Sequence, residues 1–139
     1  MDSNHYTGSA AEYAVAAFLI SMGRQVWWPS VQQDSIDLLA SRADGTFERL
    51  QVKKASWNSR TSANNTYLQI ELRSSVSHTV RRKYSADAFD TVAAVSDDGR
   101  IWMIPLEQVL GETVITLEKR GPAHRRKRSP HTPDAWRVR

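Results

Sequence analysis

An α+β fold, with one N-terminal helix laid on a mixed and mostly antiparallel sheet, is predicted by three observations. Apolar residues recur at helical spacing near the N-terminus, at Ala11, Val15, Phe18, Leu19 and Met22. After Gly23 the pattern changes to short β-rich runs punctuated by turn residues. Two of those breaks, Asp44-Gly45 and Asp98-Gly99, are of the kind that folds a strand back onto its neighbour.

The helix is expected over 8–22. Thr7 is a suitable N-cap and Gly23 a suitable residue just past the last turn, because glycine takes the left-handed conformation there without cost. Glu12 falls beside Leu19, at the margin of the apolar stripe, so a carboxylate is directed at the edge of the core. Strands are expected over 25–28, 36–40, 47–53, 67–73, 91–95 and 101–104. A short helical turn at 105–109 and a last strand at 114–117 complete the order. From Gly121 on, Pro, Arg, His and Ser dominate, and no packed structure is expected. The chain thus divides into a folded part, residues 1–118, and a basic, flexible C-terminal tail, residues 119–139; at 139 residues one hydrophobic core suffices.

With 40% apolar and 24% charged residues the composition is that of a globular protein. The longest apolar run, 13–20, is far short of the ~20 residues needed to span a bilayer, so no membrane is expected. The first residues carry no basic stretch of the kind that opens a secretory signal. The absence of cysteine excludes disulfides, thiol catalysis and Cys-based zinc sites, and fits a reducing compartment such as the cytoplasm. There is no phosphate-binding glycine motif, no H-E-x-x-H and no G-x-S-x-G. The net charge of +4 is unevenly spread: residues 119–139 hold eight Lys/Arg against one acid, whereas residues 1–118 are net acidic. Within the folded part, bases bunch at Arg49, Lys53, Lys54 and Arg60 and again at Arg81, Arg82 and Lys83. Bunched bases beside an acidic body point to a polyanion, most commonly nucleic acid.

The chemistry concentrates between Asp37 and Lys53. Asp37 lies among Ile36, Leu38 and Leu39, where a buried charge is costly unless something compensates it. The next strand alternates, with Gln51 and Lys53 on one face and Leu50 and Val52 on the other. If the Asp44-Gly45 turn pairs these strands, the polar face meets Asp37, and Glu12 approaches from the helix. Two carboxylates, an amide oxygen and a lysine suit metal-assisted phosphodiester hydrolysis. Hard oxygens hold Mg²⁺ (or Mn²⁺), the ion polarises the phosphate, and an ammonium orients the attacking water.

These residues resemble the PD-(D/E)XK nucleases, and within them the small group I intron homing endonucleases of cyanobacterial and phage type. The likeness covers about residues 7–110. It runs through Gly8-x-x-x-Glu12, Leu19-x-x-x-Gly23, Val26-x-x-Pro29, Asp37, Gln51-Val52-Lys53, Tyr84-x-x-x-x-Phe89-Asp90 and Ile101-Trp102-Met103-Ile104-Pro105. It implies a restriction-endonuclease-like core and metal-dependent, site-specific cleavage of double-stranded DNA. By that likeness Asp37 is the chief metal ligand, Val52 lends its carbonyl, Lys53 assists the water, and Glu12 acts through the metal's water shell. Gln51 departs from the usual Asp or Glu; its oxygen still ligates but brings one negative charge fewer. The homing-type relatives carry the same glutamine.

DNA contacts are expected from Lys54, Trp57 and Arg60 in a polar loop over 56–66, from Arg81, Arg82 and Lys83, and from Arg125, Arg126, Lys127 and Arg128 of the tail. A homodimer or larger homo-oligomer is expected, because one site cuts one strand at a time; Phe89, Trp102 and Val114 are apolar residues available for its interface. Two other readings share this pattern: a Holliday-junction resolvase, and a DNA-binding module that keeps the fold without catalysis.

Overall fold

The computed structural model describes residues 3–31, 35–59, 66–72, 74–75, 81–121 and 133–139. The chain opens with α1 (Ser3–Ser21). The helix begins upstream of the expected start, since nothing between Ser3 and Thr7 is a Pro or Gly that would halt it; Thr7 is therefore inside α1 and not its cap. Its end is as expected. Gly23 takes a φ of 83°, the Gly23 N–H donates to Ile20 O at 2.9 Å and the Arg24 N–H to Leu19 O at 3.0 Å, which satisfies the last carbonyls of the helix.

Then follow β1 (Val26–Trp27), β2 (Leu38–Ser41), β3 (Phe47–Lys54), β4 (Ser56–Ser59), β5 (Thr66–Glu71), β6 (Ser74–Ser75), β7 (Arg81–Arg82), β8 (Thr91–Val95), β9 (Ile101–Pro105), α2 (Leu106–Val109), β10 (Val114–Arg120) and a 3-10 turn, Pro133–Trp136. The central sheet has the order β1-β2-β3-β8-β9. Its pairings are antiparallel except β3 with β8, which run parallel with Leu50 opposite Thr91. The two Asp-Gly turns form the β2-β3 and β8-β9 hairpins, with Gly45 and Gly99 at φ of 86° and 85°. A second sheet has the order β10-β5-β4.

Burial explains the layers. Ala11, Val15 and Leu19 of α1 pack with Leu38, Leu50, Val52, Ala93 and Ile101 on one face of the central sheet. Val92, Ala94, Trp102 and Ile104 turn to the other face and meet Leu68, Ile70, Ile115 and Leu117 of the second sheet. β8 is buried along its whole length, as a central strand covered on both faces must be. Among the described residues, no helix is long and apolar enough to cross a membrane.

Several expectations are corrected. Met22 follows the last helical residue and is 66% exposed, so the apolar stripe stops at Leu19. Of the polar loop expected over 56–66, Ser56–Ser59 is instead β4, hydrogen-bonded to β5 from Ser56 opposite Gln69 to Ser59 opposite Thr66, and residues 60–65 lie outside the described residues. Phe89 and Trp102 are both 1% exposed; they belong to the core and have no surface to offer a second subunit, whereas Val114 does. β10 continues through Arg120, and the segment 133–139 is packed: Trp136 is buried, its indole N–H donates to Gln108 Oε1 at 2.9 Å, and the Val138 N–H donates to Ile101 O at 2.9 Å. A large aromatic side chain with a hydrogen-bond partner outweighs the polar composition around it. The basic run with Arg125, Arg126, Lys127 and Arg128 lies outside the described residues, as does Arg60.

Candidate active site

β2 and β3 are paired from Leu38 opposite Leu50 to Ser41 opposite Phe47. Residues 51–54 of β3 run on past the start of β2, so one edge of the strand is open there. Asp37 stands at that edge. Its N–H donates to Leu50 O at 2.8 Å, which extends the ladder by one bond and turns the side chain toward β3. Oδ2 then accepts the Val52 N–H at 2.8 Å and the Gln51 Nε2–H at 2.9 Å. In a strand the N–H and C=O of one residue point the same way, so the Val52 carbonyl also faces this edge.

Gln51 is 8% exposed, and its Oε1 has no protein partner. A buried acceptor without a donor is uncommon in a folded protein, and it calls for a water or an ion as its partner. Three oxygens therefore belong to this neighbourhood: the Asp37 carboxylate, the amide oxygen of the Gln51 side chain bonded to it, and the carbonyl of Val52, whose N–H it accepts. This is a hard-oxygen set of the kind that suits Mg²⁺ or Mn²⁺. Among the described residues no group of three His, Cys, Asp or Glu is gathered for a metal.

Electrostatics fit the same picture. Burial pushes the Asp37 carboxyl above the ordinary aspartate value, against the opposing effects of the Val52 N–H and the Lys53 charge. Burial and then repulsion from Asp37 push Glu12 upward too, while a hydrogen bond from the Trp28 side chain works against them. Glu12 and Asp37 thus share one neighbourhood although they come from α1 and from the edge of β2. Lys53 is half-buried, with Nζ 5.7 Å from the centre of the Tyr84 ring, and Tyr84 stands edge-on to Phe89 at 4.9 Å. All four residues picked out from sequence, Glu12, Asp37, Gln51 and Lys53, are brought to one place.

The family profile of the PD-(D/E)XK endonucleases matches residues 2–139. The chain belongs to the PD-(D/E)XK endonuclease family. A curated relative, Protein 5.3 of Escherichia phage T7, is 31% identical over 120 residues, covering 86% of this chain and 95% of its own. Among solved structures, the bacterial homing endonuclease I-Ssp6803I matches with a TM-score of 0.76 at 22% identity, over 98% of this chain and 89% of that one. At that identity the likeness establishes a shared fold, and it is the restriction-endonuclease-like fold expected from the sequence. PD-(D/E)XK nucleases generally use divalent metals and act on DNA, so the activity class of this chain is that of a nuclease.

Around this PD-(D/E)XK centre the expected DNA contacts separate. Lys54 is ion-paired to Asp97 at 2.9 Å. Trp57 is 37% exposed, with the Arg120 guanidinium 4.3 Å from its ring centre. Lys83 is exposed; Arg81 and Arg82 are described as β7 backbone alone. Arg49 is committed elsewhere: it grips Asp90 through Nη2 at 3.1 Å and Nε at 3.3 Å. Sequence reasoning missed Trp28, which holds Glu12, and the role of Tyr84 beneath Lys53. The motif Tyr84-x-x-x-x-Phe89-Asp90 carried that second signal, since its members hold Lys53, fill the core and fix Arg49 in turn.

Proposed function

We propose that this protein is a Mg²⁺- or Mn²⁺-dependent endonuclease of double-stranded DNA, selective for sites in the manner of a homing endonuclease, that works as a homodimer or larger homo-oligomer in the cytoplasm. The observation that carries this reading is the partnerless, buried Gln51 oxygen beside Asp37 and the Val52 carbonyl in a chain of an endonuclease family. Asp37, Gln51 and the Val52 carbonyl would hold the ion, which supplies charge at the scissile phosphate and a more acidic water. Lys53, on the Gln51 face of β3 and steadied by Tyr84, donates to the attacking water or to a phosphate oxygen. Glu12, fixed by Trp28, orients waters next to Asp37. One chain carries one such centre, so cutting both strands in one encounter calls for two subunits related by the two-fold symmetry of DNA.

The test is incubation with plasmid, random linear duplex and a four-way junction side by side, in Mg²⁺, Mn²⁺ and EDTA. Metal-dependent cutting of duplex at a limited set of positions is expected. Preferred cutting of the junction without sequence choice would make the protein a resolvase. Tight duplex binding with no cleavage in any divalent ion would make it a binding module. Light scattering of the protein, free and with DNA, gives the subunit count; a monomer in both states defeats the oligomer.

A further inference from the structure

The second sheet turns Leu68, Ile70, Ile115 and Leu117 inward and leaves a polar face outward. Across that face runs a ladder of side chains. The Asn58 amide on β4 donates to Gln69 Oε1 on β5 at 3.3 Å, and Gln69 Nε2 donates to Thr116 Oγ1 on β10 at 3.1 Å. The strands set these residues close together, with Gln69 opposite both Ser56 and Thr116. A groove of ≈ 390 Å³ joins this face to the catalytic strand: Lys53, Lys54, Ser56, Asn58, Gln69 and Glu71 line it. The same hollow therefore touches Lys53, where a scissile phosphate would be held, and the amides of the second sheet.

Resting on the nuclease reading above, we infer that β4 and β5 read base edges in the major groove, with Gln69 as the specificity-determining residue and Thr116 as the residue that positions it. The argument is one of hydrogen-bond inventory. A primary amide has two acceptor and two donor positions. The ladder uses one of each, toward the strands on either side of Gln69. What remains points away from the sheet: one acceptor and one donor side by side. That pair matches the N6 amino group and N7 of adenine, the usual partner of glutamine in the major groove. Both lateral bonds hold the amide in one orientation, so its reading edge is ordered before DNA arrives.

The experiment uses the full chain and a randomised duplex library, sequenced after cleavage in Mg²⁺ and, separately, after selection by binding in Ca²⁺. Wild type is expected to prefer an A·T pair at one position near the cut. Gln69→Ala should lose that preference by about 5- to 150-fold while keeping choice elsewhere. Gln69→Glu should move it toward cytosine, because a carboxylate accepts from N4 but cannot donate to N7. Thr116→Val should blur the same position, and Thr116→Ser should restore it. An unchanged profile in Gln69→Ala, an equal loss at every position, or no preference in wild type overturns the inference, with thermal melting excluding unfolding as the cause. Should the wild type fail to cleave, the nuclease reading falls, yet the bound fraction still decides whether Gln69 reads a base.

Discussion

Asp37 and Asp90 each stand one residue ahead of a strand that flanks β3, and each turns its carboxylate onto a β3 backbone N–H, Val52 for the first and Arg49 for the second, both at 2.8 Å. Their remaining partners differ. Asp90 is met by the guanidinium of Arg49 and, at 3.6 Å, that of Arg42. Burial raises its pKa, but the two arginines and the backbone bond outweigh burial and bring it below the ordinary value. Asp37 is met by a neutral amide, and burial leaves its carboxyl raised. On the β8 side of the strand the charge is neutralised by the protein; on the β2 side it is left for something that the protein does not supply. A fully compensated carboxylate ties strands together, and an under-compensated one attracts a cation.

The largest effects should separate the two aspartates by activity. Asp37→Ala and Lys53→Ala are expected to lower cleavage by at least about 10³-fold while duplex binding survives, as read on a labelled duplex with binding measured in Ca²⁺. Asp90→Ala should retain cleavage at any temperature where it stays folded. Residual activity near wild type in Asp37→Ala would erase the contrast. Next in size is Gln51: Gln51→Leu should abolish cleavage, and Gln51→Glu should keep it and tighten metal binding through the added charge, both followed by Mn²⁺ titration. Full activity in the leucine variant would reduce Gln51 to a neighbour. Glu12→Gln should slow cleavage by about tenfold, since a group acting through waters tolerates loss of charge better than a ligand does.

Smaller effects should appear in stability, with opposite signs. Asp90→Ala leaves the Arg49 N–H unpaired and its guanidinium with the Asp87 carbonyl in place of a carboxylate, and should cost about 1–2 kcal/mol in urea unfolding, a figure discounted because the pair is partly exposed. Asp37→Asn should gain stability at neutral pH, because it removes a charge that burial disfavours. The pH dependence follows from the two shifts. A carboxyl lowered in the folded state contributes stability above its unfolded value and loses it as pH falls through the folded one, as for Asp90. A carboxyl raised in the folded state contributes below its unfolded value and loses it as pH rises through the folded one, as for Asp37. The Asp37→Asn advantage should therefore vanish below about pH 4, where the wild-type carboxyl is protonated in both states. An advantage that persists there would mean that packing, not charge, causes it.

Much of this centre was legible because its signals are local. Asp37 sits in an apolar stretch, Gln51 and Lys53 share a strand face, and Asp44-Gly45 dictates the hairpin that joins them. Period-2 alternation and turn chemistry act over a few residues and need no knowledge of the rest. What escaped detection depends on distant partners. β4 reads as a loop because Ser56, Asn58 and Ser59 are poor strand formers; it is a strand because β5 offers it a ladder. Trp136 lies among Pro, Asp and Arg, and its burial is decided by the pocket beside Gln108 and not by its neighbours in sequence. Trp102 and Phe89 look like spare apolar residues until the second sheet covers them.

The parallel pairing of β3 with β8 has a consequence for how such a protein can change. Parallel neighbours need a crossover, and here the excursion from Lys54 to Thr91 carries the second sheet's β4 and β5. Asp37, Gln51, Val52 and Lys53 all precede it in the chain, within one hairpin. Closing a longer excursion is cheap, about 0.6 kcal/mol for each doubling of loop length. Segments inserted into, deleted from or exchanged within the excursion ahead of Tyr84 would leave the hairpin's register alone so long as Tyr84, Phe89 and Asp90 still reach Lys53, the core and Arg49. The fold thus separates a part that must stay fixed from a part free to diverge, and lineages can drift in the second while the first is held constant.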